Sequence, residues 1–250
     1  MNRILFETSE IKNGIVEFGG ARAAHVVNVL HGEIGQTLKT GTIDGPVGTS
    51  EITRISVRDG EPVVAAKIDH RQKSVSPWVD ILLAPPRPRA MKRLLPQLAA
   101  LGAGRIVLVG AEKVEKDFWG ATLLKEEIFR PLLIDGMMQA GTSILPSIET
   151  RRGFKKFMEE EIDDAFRSRR RIFAHPYAAP ENLPSAGGED RILLAIGPEG
   201  GWTDRETALL ETKGFCGFSL GPRILKTETA AVALLSVLGR EYDTVWRHGG

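Results

Sequence analysis

Residues 1–72 alternate short apolar runs with pairs of turn-forming residues. The apolar runs are Arg3–Phe6, Ile15–Phe18, Thr37–Thr40, Glu51–Val57 and Pro62–Ile68. Asn-Gly, Gly-Gly, Asp-Gly and Gly-Pro pairs separate these runs, a spacing that is typical of short strands joined by tight turns. One segment, Ala21–Leu30, instead has apolar residues at helical spacing. The pattern therefore predicts a small, mostly β barrel with one helical insertion.

From Trp78 onward, apolar runs of strand length alternate with segments of helical periodicity. The predicted strands are Val79–Ala84, Arg105–Val109, Ser147–Thr150, Arg171–Ala174, Ile192–Ile196 and Gly217–Leu220. The predicted helices are Arg89–Leu101, Leu123–Gln139 (interrupted at Pro131), Phe154–Phe166, Asp204–Lys213 and Glu228–Tyr242. Helical crossovers between buried strands imply a parallel sheet covered on both faces, which is an α/β fold. The polar stretch Arg71–Pro77 predicts a linker, so we expect a β domain at residues 1–72 and an α/β domain at residues 76–250.

Composition and charge narrow the function classes only slightly. The chain has 33 basic and 32 acidic residues and a formal net charge of +1, so any RNA-binding surface has to be a local patch. Cys216 is the single cysteine, which excludes an internal disulfide and a zinc cluster and predicts a small core residue. The five histidines show no metal-ligand spacing. Neither a secretory signal nor a run of roughly 18 apolar residues is present, so we expect a cytoplasmic protein.

A glycine-rich turn follows the predicted strand Ile192–Ile196 and reads Gly-Pro-Glu-Gly-Gly-Trp over residues 197–202. Thr203 and Glu206 have the spacing of a capping box, so a helix is predicted to begin directly after the turn. Glycine lets the backbone adopt a positive φ and lets a ligand approach main-chain amides. Ligands of parallel sheets bind beyond the carboxyl ends of the strands, where this turn lies. The turn predicts a binding site or, equally, an ordinary tight connection between strand and helix.

A second turn follows the predicted strand Gly217–Leu220 and leads directly into the C-terminal helix. It reads Gly-Pro-Arg-Ile-Leu-Lys-Thr-Glu over residues 221–228. Thr227 and Glu228 fit the start of that helix, with Thr227 as the N-cap. Arg223 and Lys226 do not fit, because the helix dipole disfavours cations at an N-terminus. An anionic or electron-rich ligand at this turn would explain both cations.

Together, the two turns resemble the SPOUT methyltransferases, and within them the family that methylates uracil N3 in small-subunit ribosomal RNA. That family carries Ile-Gly-Pro-Glu-Gly-Gly and then Leu-Gly-x-Arg-Ile-Leu-Arg-Thr-Glu-Thr-Ala, and this chain matches almost throughout, with Lys226 replacing the second Arg. The resemblance implies a C-terminal domain with a deep trefoil knot and an N-terminal, PUA-like barrel that binds RNA. It also implies a homodimer, S-adenosylmethionine (SAM) as the methyl donor without a metal, and 16S ribosomal RNA of the small subunit as the partner.

By the same resemblance, the main chain of both turns would form the SAM pocket. The residues expected there are Ile196, Gly197, Pro198, Gly200, Leu220, Gly221, Ile224 and Leu225. Arg223 and Lys226 are the candidates for stabilising negative charge on the uracil carbonyl oxygens. Glu199 would either orient the site by bonding backbone amides or accept the N3 proton.

Basic residues in two segments are candidates for contacts with RNA phosphates. Arg87, Arg89 and Lys92 follow the first predicted strand of the α/β domain. Arg22 and His25 lie in the helical insertion of the β domain. A solvated surface would explain the second group equally well.

Several positions depart from the family pattern. Met138 and Thr142 stand where the family has Glu and Arg, and Gln97 and Ala100 replace a Lys and a Glu. The lost charges are of the kind that contact RNA, so a methyltransferase of the same fold with another RNA target is an open alternative. A second alternative is a protein that keeps the fold and binds RNA without transferring a methyl group.

The glycines at positions 102 and 104 look at first like a dinucleotide-binding fingerprint. A nucleotide-binding turn follows its strand and opens a helix, whereas these glycines end a predicted helix and precede a strand. A helix C-cap at Gly102 explains them better. Because the sequence also lacks a phosphate loop and a nucleophile elbow, a nucleotide-binding α/β enzyme is the least supported alternative.

Overall fold

The computed structural model describes residues 2–166, 170–178 and 191–248. The chain divides into two compact units. The first unit comprises Met1–Ser76 with Met137–Leu145, and the second comprises Pro77–Gly136 with Pro146–Gly250. The first unit is therefore built from two stretches of chain that are far apart in sequence.

One six-stranded sheet forms the frame of the first unit. Its strands are β1 (Ile4–Phe6), β2 (Ile11–Lys12), β3 (Ile15–Phe18), β4 (Thr37–Thr42), β5 (Val47–Arg58) and β6 (Glu61–Gln72). They pair in the order β1-β4-β5-β6-β3-β2, antiparallel throughout except for the parallel pair β1 and β4. Within the described residues β1 and β2 do not pair with each other, so the sheet is a half-barrel.

The apolar core of this unit lies against one face of the sheet. Phe6, Val16, Ile52 and Val64 are buried there, and each belongs to a different strand. The helical insertion is less regular than predicted, because α1 spans only Gly20–Ala24 and continues as a π-helical turn. That turn places Val26 in the core, which fixes the insertion against the sheet.

Residues 137–145 are joined to the rest of the first unit by hydrogen bonds of their main-chain groups. The amides of Asn2 and Arg3 donate to the Met138 carbonyl at 3.1 and 3.0 Å. The Ser143 amide donates to the hydroxyl of Ser74 at 2.9 Å, and Ser74 is buried. The polar stretch that predicted a free linker is therefore partly strand, since β6 extends to Gln72, and partly buried.

The second unit is built on a six-stranded parallel sheet, as predicted. Its strands are β7 (Val79–Leu83), β8 (Ala103–Val109), β9 (Ser147–Arg151), β10 (Arg171–Ala174), β11 (Ile192–Ile196) and β12 (Phe215–Phe218). They lie in the order β12-β10-β11-β7-β8-β9, and every pair is parallel. All five residues of β7 and of β11 are buried, which explains the continuous apolar run of β11 and the apolar character of β7, where Asp80 is the one charged residue.

Helices cover both faces of this sheet. They are α2 (Pro88–Ala100), α3 (Glu126–Ala140), α4 (Phe154–Lys156), α5 (Ile162–Ala165), α6 (Asp204–Thr212) and α7 (Thr227–His248), with a π-helical turn between α4 and α5. Phe157 and Leu210 pack with Phe173 of β10 in one apolar layer. In a separate set of contacts, α2 packs against α7 and β8. The predicted interruption of α3 is wrong, because the helix continues through Pro131, which removes only one main-chain donor near the helix start.

The last strand lies two residues earlier than the apolar run predicted. β12 ends at Phe218, and the chain leaves the sheet at Ser219, whose hydroxyl bonds the neighbouring loops instead of a strand. Cys216 was expected in the core, but it is exposed. β12 is an outer strand of the sheet and is only partly covered, so Cys216 is exposed although Phe215 and Phe218 are buried.

Gly102 has the role that its position after a helix predicts. It follows the C-cap of α2 with a φ of +93°. A side chain there would also collide with the indole of Trp78, at 2.5 Å from its Cδ1. The glycine therefore ends a helix, and the dinucleotide interpretation is unnecessary.

Gly136 allows α3 to approach α2 closely, which generates a stability prediction. A Cβ at this position would lie 2.0 Å from the Pro96 carbonyl oxygen, a backbone atom that cannot turn aside. We expect Gly136→Ala to lower the free energy of unfolding by about 1–3 kcal/mol or more, measured by urea denaturation. Gly120→Ala is the matched control, since a Cβ there meets no atom within 4 Å. Equal stability of the two variants would contradict the close helix contact.

Candidate functional site

A cavity of about 520 Å³ opens at the carboxyl ends of β10, β11 and β12. These strands are adjacent in the sheet, with β10 between the other two. The eight residues that the sequence motifs place in a binding pocket all line the cavity: Ile196, Gly197, Pro198, Gly200, Leu220, Gly221, Ile224 and Leu225. The two turns therefore face one space, although their strands are not direct neighbours.

The glycines of the turn that follows β11 differ in what surrounds them. A Cβ on Gly197 would lie 3.1 Å from the indole nitrogen of Trp202, whose ring is buried. A Cβ on Gly200 would lie 2.9 Å from Cδ of Lys113. Gly201 has open space but a φ of +69°, which L side chains rarely adopt. The turn is thus shaped by its neighbours as well as by its own backbone.

The helix after this turn begins as the capping box predicts. The amide of Glu206 donates to the Thr203 hydroxyl at 3.4 Å, and the Thr203 amide donates to the Glu206 carboxylate at 2.9 Å. Glu206 is only 7% exposed, and its other carboxylate oxygen accepts a bond from the Glu112 amide at 2.8 Å. One buried carboxylate therefore holds both the start of α6 and the loop that follows β8.

The β12 turn is connected to the loop after β10 through Ser219. The Ser219 hydroxyl donates to the Pro176 carbonyl at 3.0 Å and accepts a bond from the Gly221 amide at 3.1 Å. Gly221 has a φ of +110°, and a Cβ there would meet no atom within 4 Å. The glycine is needed for this conformation and leaves space open beside the cavity.

Thr227 connects the β12 turn to the β11 turn. The sequence predicts it as an N-cap, but it is the first residue of α7, and its hydroxyl donates to the Gly197 carbonyl at 3.2 Å. Thr227 is buried at this contact. The N-cap prediction is therefore wrong, because the hydroxyl bonds a neighbouring loop and not its own helix.

The loop after β10 is a third wall that the sequence motifs do not indicate. His175, Pro176 and Tyr177 line the cavity. The His175 amide donates to the Phe218 carbonyl at 3.0 Å, which aligns this loop with the end of β12. Local sequence carries no signal for this wall, because it depends on β10 lying between β11 and β12.

Charged side chains lie at the rim of the cavity. Arg223 and Glu199 line it, whereas Lys226 is exposed and does not. The Glu199 carboxylate is 45% exposed and lies 3.9 Å from Nε of Arg87. Arg87 also donates to Glu115 at 2.9 Å, and this hydrogen bond, with the charges of both carboxylates, raises the pKa of Arg87.

The five candidates for RNA contact differ in their surroundings. Arg89 and Lys92 are exposed on α2, and Arg87 precedes them. Arg22 donates to both carboxylate oxygens of Glu10 and to a main-chain carbonyl, which ties its guanidinium to the fold of the first unit. His25 is half-buried, and its Nε2 is buried without a partner among the described residues. An RNA contact by any of the five remains a prediction.

Within residues 2–166, 170–178 and 191–248, no group of three or more His, Cys, Asp and Glu side chains could hold a metal ion. No helix in that same part of the chain is long and apolar enough to span a bilayer.

Comparison with known sequences places the chain among RNA-modifying proteins. Residues 73–239 match the sequence profile of the RNA methyltransferase domain family. The chain is 31% identical over 246 residues to ribosomal RNA small subunit methyltransferase E of Treponema pallidum, covering 95% of this chain and 90% of that protein. It is 25% identical to methyltransferase E 1 of Borreliella burgdorferi, covering 93% and 95%.

Solved structures resemble the chain over nearly its whole length. A Legionella pneumophila protein described as a methyltransferase, solved with the cofactor SAM, has a TM-score of 0.73 at 27% identity, covering 96% of this chain and 97% of that one. Methyltransferase E of Neisseria gonorrhoeae has the same TM-score at 20% identity, with the same coverage, which shows a shared fold.

Thr227 offers a test of how the two turns are held together. Thr227→Val keeps the shape of the side chain but leaves the Gly197 carbonyl without its donor, so we expect the free energy of unfolding to fall by about 1–2 kcal/mol. Thr229→Val is the control, because Thr229 is exposed on the same helix. Chemical denaturation compares the two, and an equal effect would mean that the Thr227 bond contributes nothing.

Proposed function

The chain belongs to the ribosomal RNA small subunit methyltransferase E family, and from this membership we propose that it transfers a methyl group from SAM to N3 of a uridine in 16S ribosomal RNA. The observation that carries the proposal is the single cavity at the ends of β10, β11 and β12. Both motif turns contribute to it, and every residue expected to contact SAM lines it.

The walls of the cavity fit SAM in size and chemistry. A volume of about 520 Å³ lies within the range of roughly 300–1,000 Å³ that small-molecule sites occupy. Leu220, Ile224 and Leu225 offer apolar surface, and the glycines expose main-chain groups. The open space beside Gly221 is a cradle that a side chain would fill. The SAM-bound relative from L. pneumophila, at 27% identity, further supports SAM as the ligand.

The charged groups at the rim suit the chemistry of a uracil ring. SAM, when bound, supplies an electrophilic methyl group, whereas uracil N3 becomes nucleophilic only after it loses its proton. Arg223 lines the cavity and can stabilise the negative charge that develops on a uracil carbonyl oxygen. One such donor is typically worth about 10²–10³ in rate. Lys226 lies outside the lining, so we assign it a weaker, longer-range part in this stabilisation.

Glu199 has the better geometry for orienting the site than for accepting the N3 proton. Its carboxylate lies 3.9 Å from Arg87, and Arg87 is also bonded to Glu115. A carboxylate between the cavity and a cation is held in place by charge. We therefore propose that Glu199 is an orienting residue, which holds the turn after β11 close to Arg87 at the start of α2.

The basic residues of α2 are the better candidates for gripping the RNA backbone. Arg89 and Lys92 are exposed there, and Arg87 adjoins the cavity rim through Glu199. We also propose RNA contacts for Arg22 and His25 of the first unit. Arg22 already donates hydrogen bonds to the Glu10 carboxylate, so we assign α2 the larger part. Phosphate contacts of this kind would make RNA affinity fall steeply with salt.

Membership of the family also leads us to propose the identity of the two domains and a knotted chain. Residues 1–72 are assigned an RNA-binding, PUA-like domain, which the half-barrel sheet supports, and residues 76–250 the SPOUT methyltransferase domain. A trefoil knot in the second domain is proposed from membership of the family.

A homodimer is proposed from the apolar surface at the cavity rim. Ile224 is 74% exposed and Tyr177 is 80% exposed, while Leu220 and Leu225 are partly exposed beside them. Contiguous exposed apolar residues commonly mark a protein interface. A second copy of the chain covering this rim would also shield the methyl-transfer site from water. Action on ribosomal RNA further implies a cytoplasmic location.

The function is tested by methylation of small subunits that lack the modification, with labelled SAM and mapping of the product nucleotide. We expect label at N3 of one uridine, and we expect Gly221→Val to abolish both SAM binding and transfer by filling the open cradle. Gly214→Val is the matched control, because Gly214 also has a positive φ and open surroundings but lies outside the cavity.

Each other outcome of this assay is informative. Label on a different nucleotide would keep the enzyme and overturn the N3 assignment. SAM binding without transfer to any subunit RNA would favour the non-catalytic alternative. Failure of the folded wild-type protein to bind SAM by calorimetry would refute the proposed function itself.

The two cations of the second turn make a graded kinetic prediction. We expect Arg223→Ala to lower kcat by about 10²-fold while SAM affinity changes little, because the charge acts on the transition state. Lys226→Ala should slow transfer by a smaller factor, because this side chain does not line the cavity. Single-turnover transfer rates and calorimetric Kd values measure both effects. A larger defect in Lys226→Ala than in Arg223→Ala would reverse the assigned roles.

A further inference from the structure

Lys113 reaches the β11 turn from a different loop. It follows β8, and its ammonium donates a hydrogen bond to the Gly200 carbonyl at 2.8 Å. Its side chain also lines the cavity. Neither sequence motif includes Lys113, and nothing in the local sequence around it indicates a functional role. The contact becomes visible only when the ends of β8 and β11 are placed in the same sheet.

The aliphatic part of Lys113 packs closely against Gly200. A Cβ there would lie 2.9 Å from Cδ and 3.4 Å from Cβ of Lys113. Gly200 is not among the residues with positive φ, so its backbone conformation is open to other residues. Gly201 differs, because its φ of +69° requires glycine without any neighbour. The lysine and Gly200 are therefore sterically matched.

The loop that carries Lys113 is held in place by a hydrogen bond to the buried carboxylate of Glu206. The amide of the preceding residue, Glu112, donates to the buried carboxylate of Glu206 at 2.8 Å. Glu206 also caps α6, the helix that begins directly after the β11 turn. The buried Glu206 carboxylate therefore holds both the loop that carries Lys113 and the start of the helix that follows the turn.

Two hydrogen bonds hold the peptide between Gly200 and Gly201, one at its amide and one at its carbonyl. The Gly201 amide donates to the Pro198 carbonyl at 2.8 Å, which closes the turn. Glycine on both sides of a peptide leaves its orientation weakly determined, because glycine populates positive and negative φ about equally. The Lys113 bond to the Gly200 carbonyl therefore adds to the bond within the turn, and among the described residues it is the one hydrogen bond of this peptide that comes from another loop.

We propose that Lys113 is a positioning residue that fixes the Gly200 carbonyl and so preorganises the β11 turn for the methyl donor. The inference rests on the proposed function, in which the cavity holds SAM. Lys113 acts through the turn and needs no direct contact with the reacting atoms. Without its ammonium the turn samples other orientations, and part of the binding free energy of SAM is used to restore the productive one.

The test compares three variants by calorimetry with SAM and by steady-state kinetics on unmodified small subunits. Lys113→Met keeps the aliphatic chain and removes the donor, so we expect Kd and KM for SAM to rise about tenfold, with kcat at saturating SAM largely kept. Lys113→Arg should restore affinity to within about threefold, because it returns a cationic donor. Lys116→Met is the matched control, since Lys116 is exposed nearby and does not line the cavity.

A double-mutant cycle adds a readout that general destabilisation cannot mimic. Gly200→Ala pushes the Lys113 stem away and should weaken SAM binding to a similar extent. Because both changes break the same contact, the double variant Gly200→Ala with Lys113→Met should be no weaker than either single one. Additive losses would show that the two residues act independently and would overturn the inference.

The remaining outcomes separate this inference from the proposed function. If wild-type protein binds SAM and Lys113→Met binds it equally well, the positioning role is wrong and the function stands. If Lys113→Met raises only the KM for RNA, Lys113 contacts RNA and does not position the turn. If the wild-type protein itself ignores SAM, the proposed function fails first.

Discussion

The cavity depends on two side-chain hydroxyls that tie three separate loops together. Thr227 bonds the Gly197 carbonyl and joins the start of α7 to the β11 turn, while Ser219 bonds the Pro176 carbonyl and joins the β12 turn to the loop after β10. Loops that are remote in sequence lose conformational entropy when they are held side by side. These two bonds, with the parallel sheet beneath them, offset that cost and keep one continuous wall.

Hydrophobic periodicity predicts the sheet of the second unit well, because its central strands are buried throughout. The observed bounds of β10 and β11 equal the predicted ones, and the Thr203–Glu206 capping box marks the start of α6 correctly. The same reasoning misplaces β12 by two residues, since the apolar residues after Phe218 belong to a turn and not to a strand. Strand order is not predictable in this way, because pairing partners leave no local pattern.

The candidate site is predictable only where it is made of contiguous sequence. The two glycine-rich turns are long enough to be recognised, and their residues do line the cavity. Lys113 and His175 escape detection because each is a single polar residue whose role depends on a loop from another strand. The two adjacent glycines of the turn after β11 also cannot be told apart from sequence. Gly200 packs closely against the side chain of Lys113, whereas Gly201 has a positive φ.

None of the four positions that depart from the family pattern is among the residues that line the cavity. Met138 and Thr142 belong to residues 137–145 of the first unit, and neither they nor Gln97 and Ala100 line the cavity. The main-chain carbonyl of Met138 accepts hydrogen bonds from the amides of Asn2 and Arg3, and these bonds do not depend on which side chain stands at position 138. Substitution at these four positions therefore leaves the lining of the cavity unchanged. Under the proposed function, a change at these positions would alter the choice of RNA target and leave the cavity assigned to the methyl donor intact.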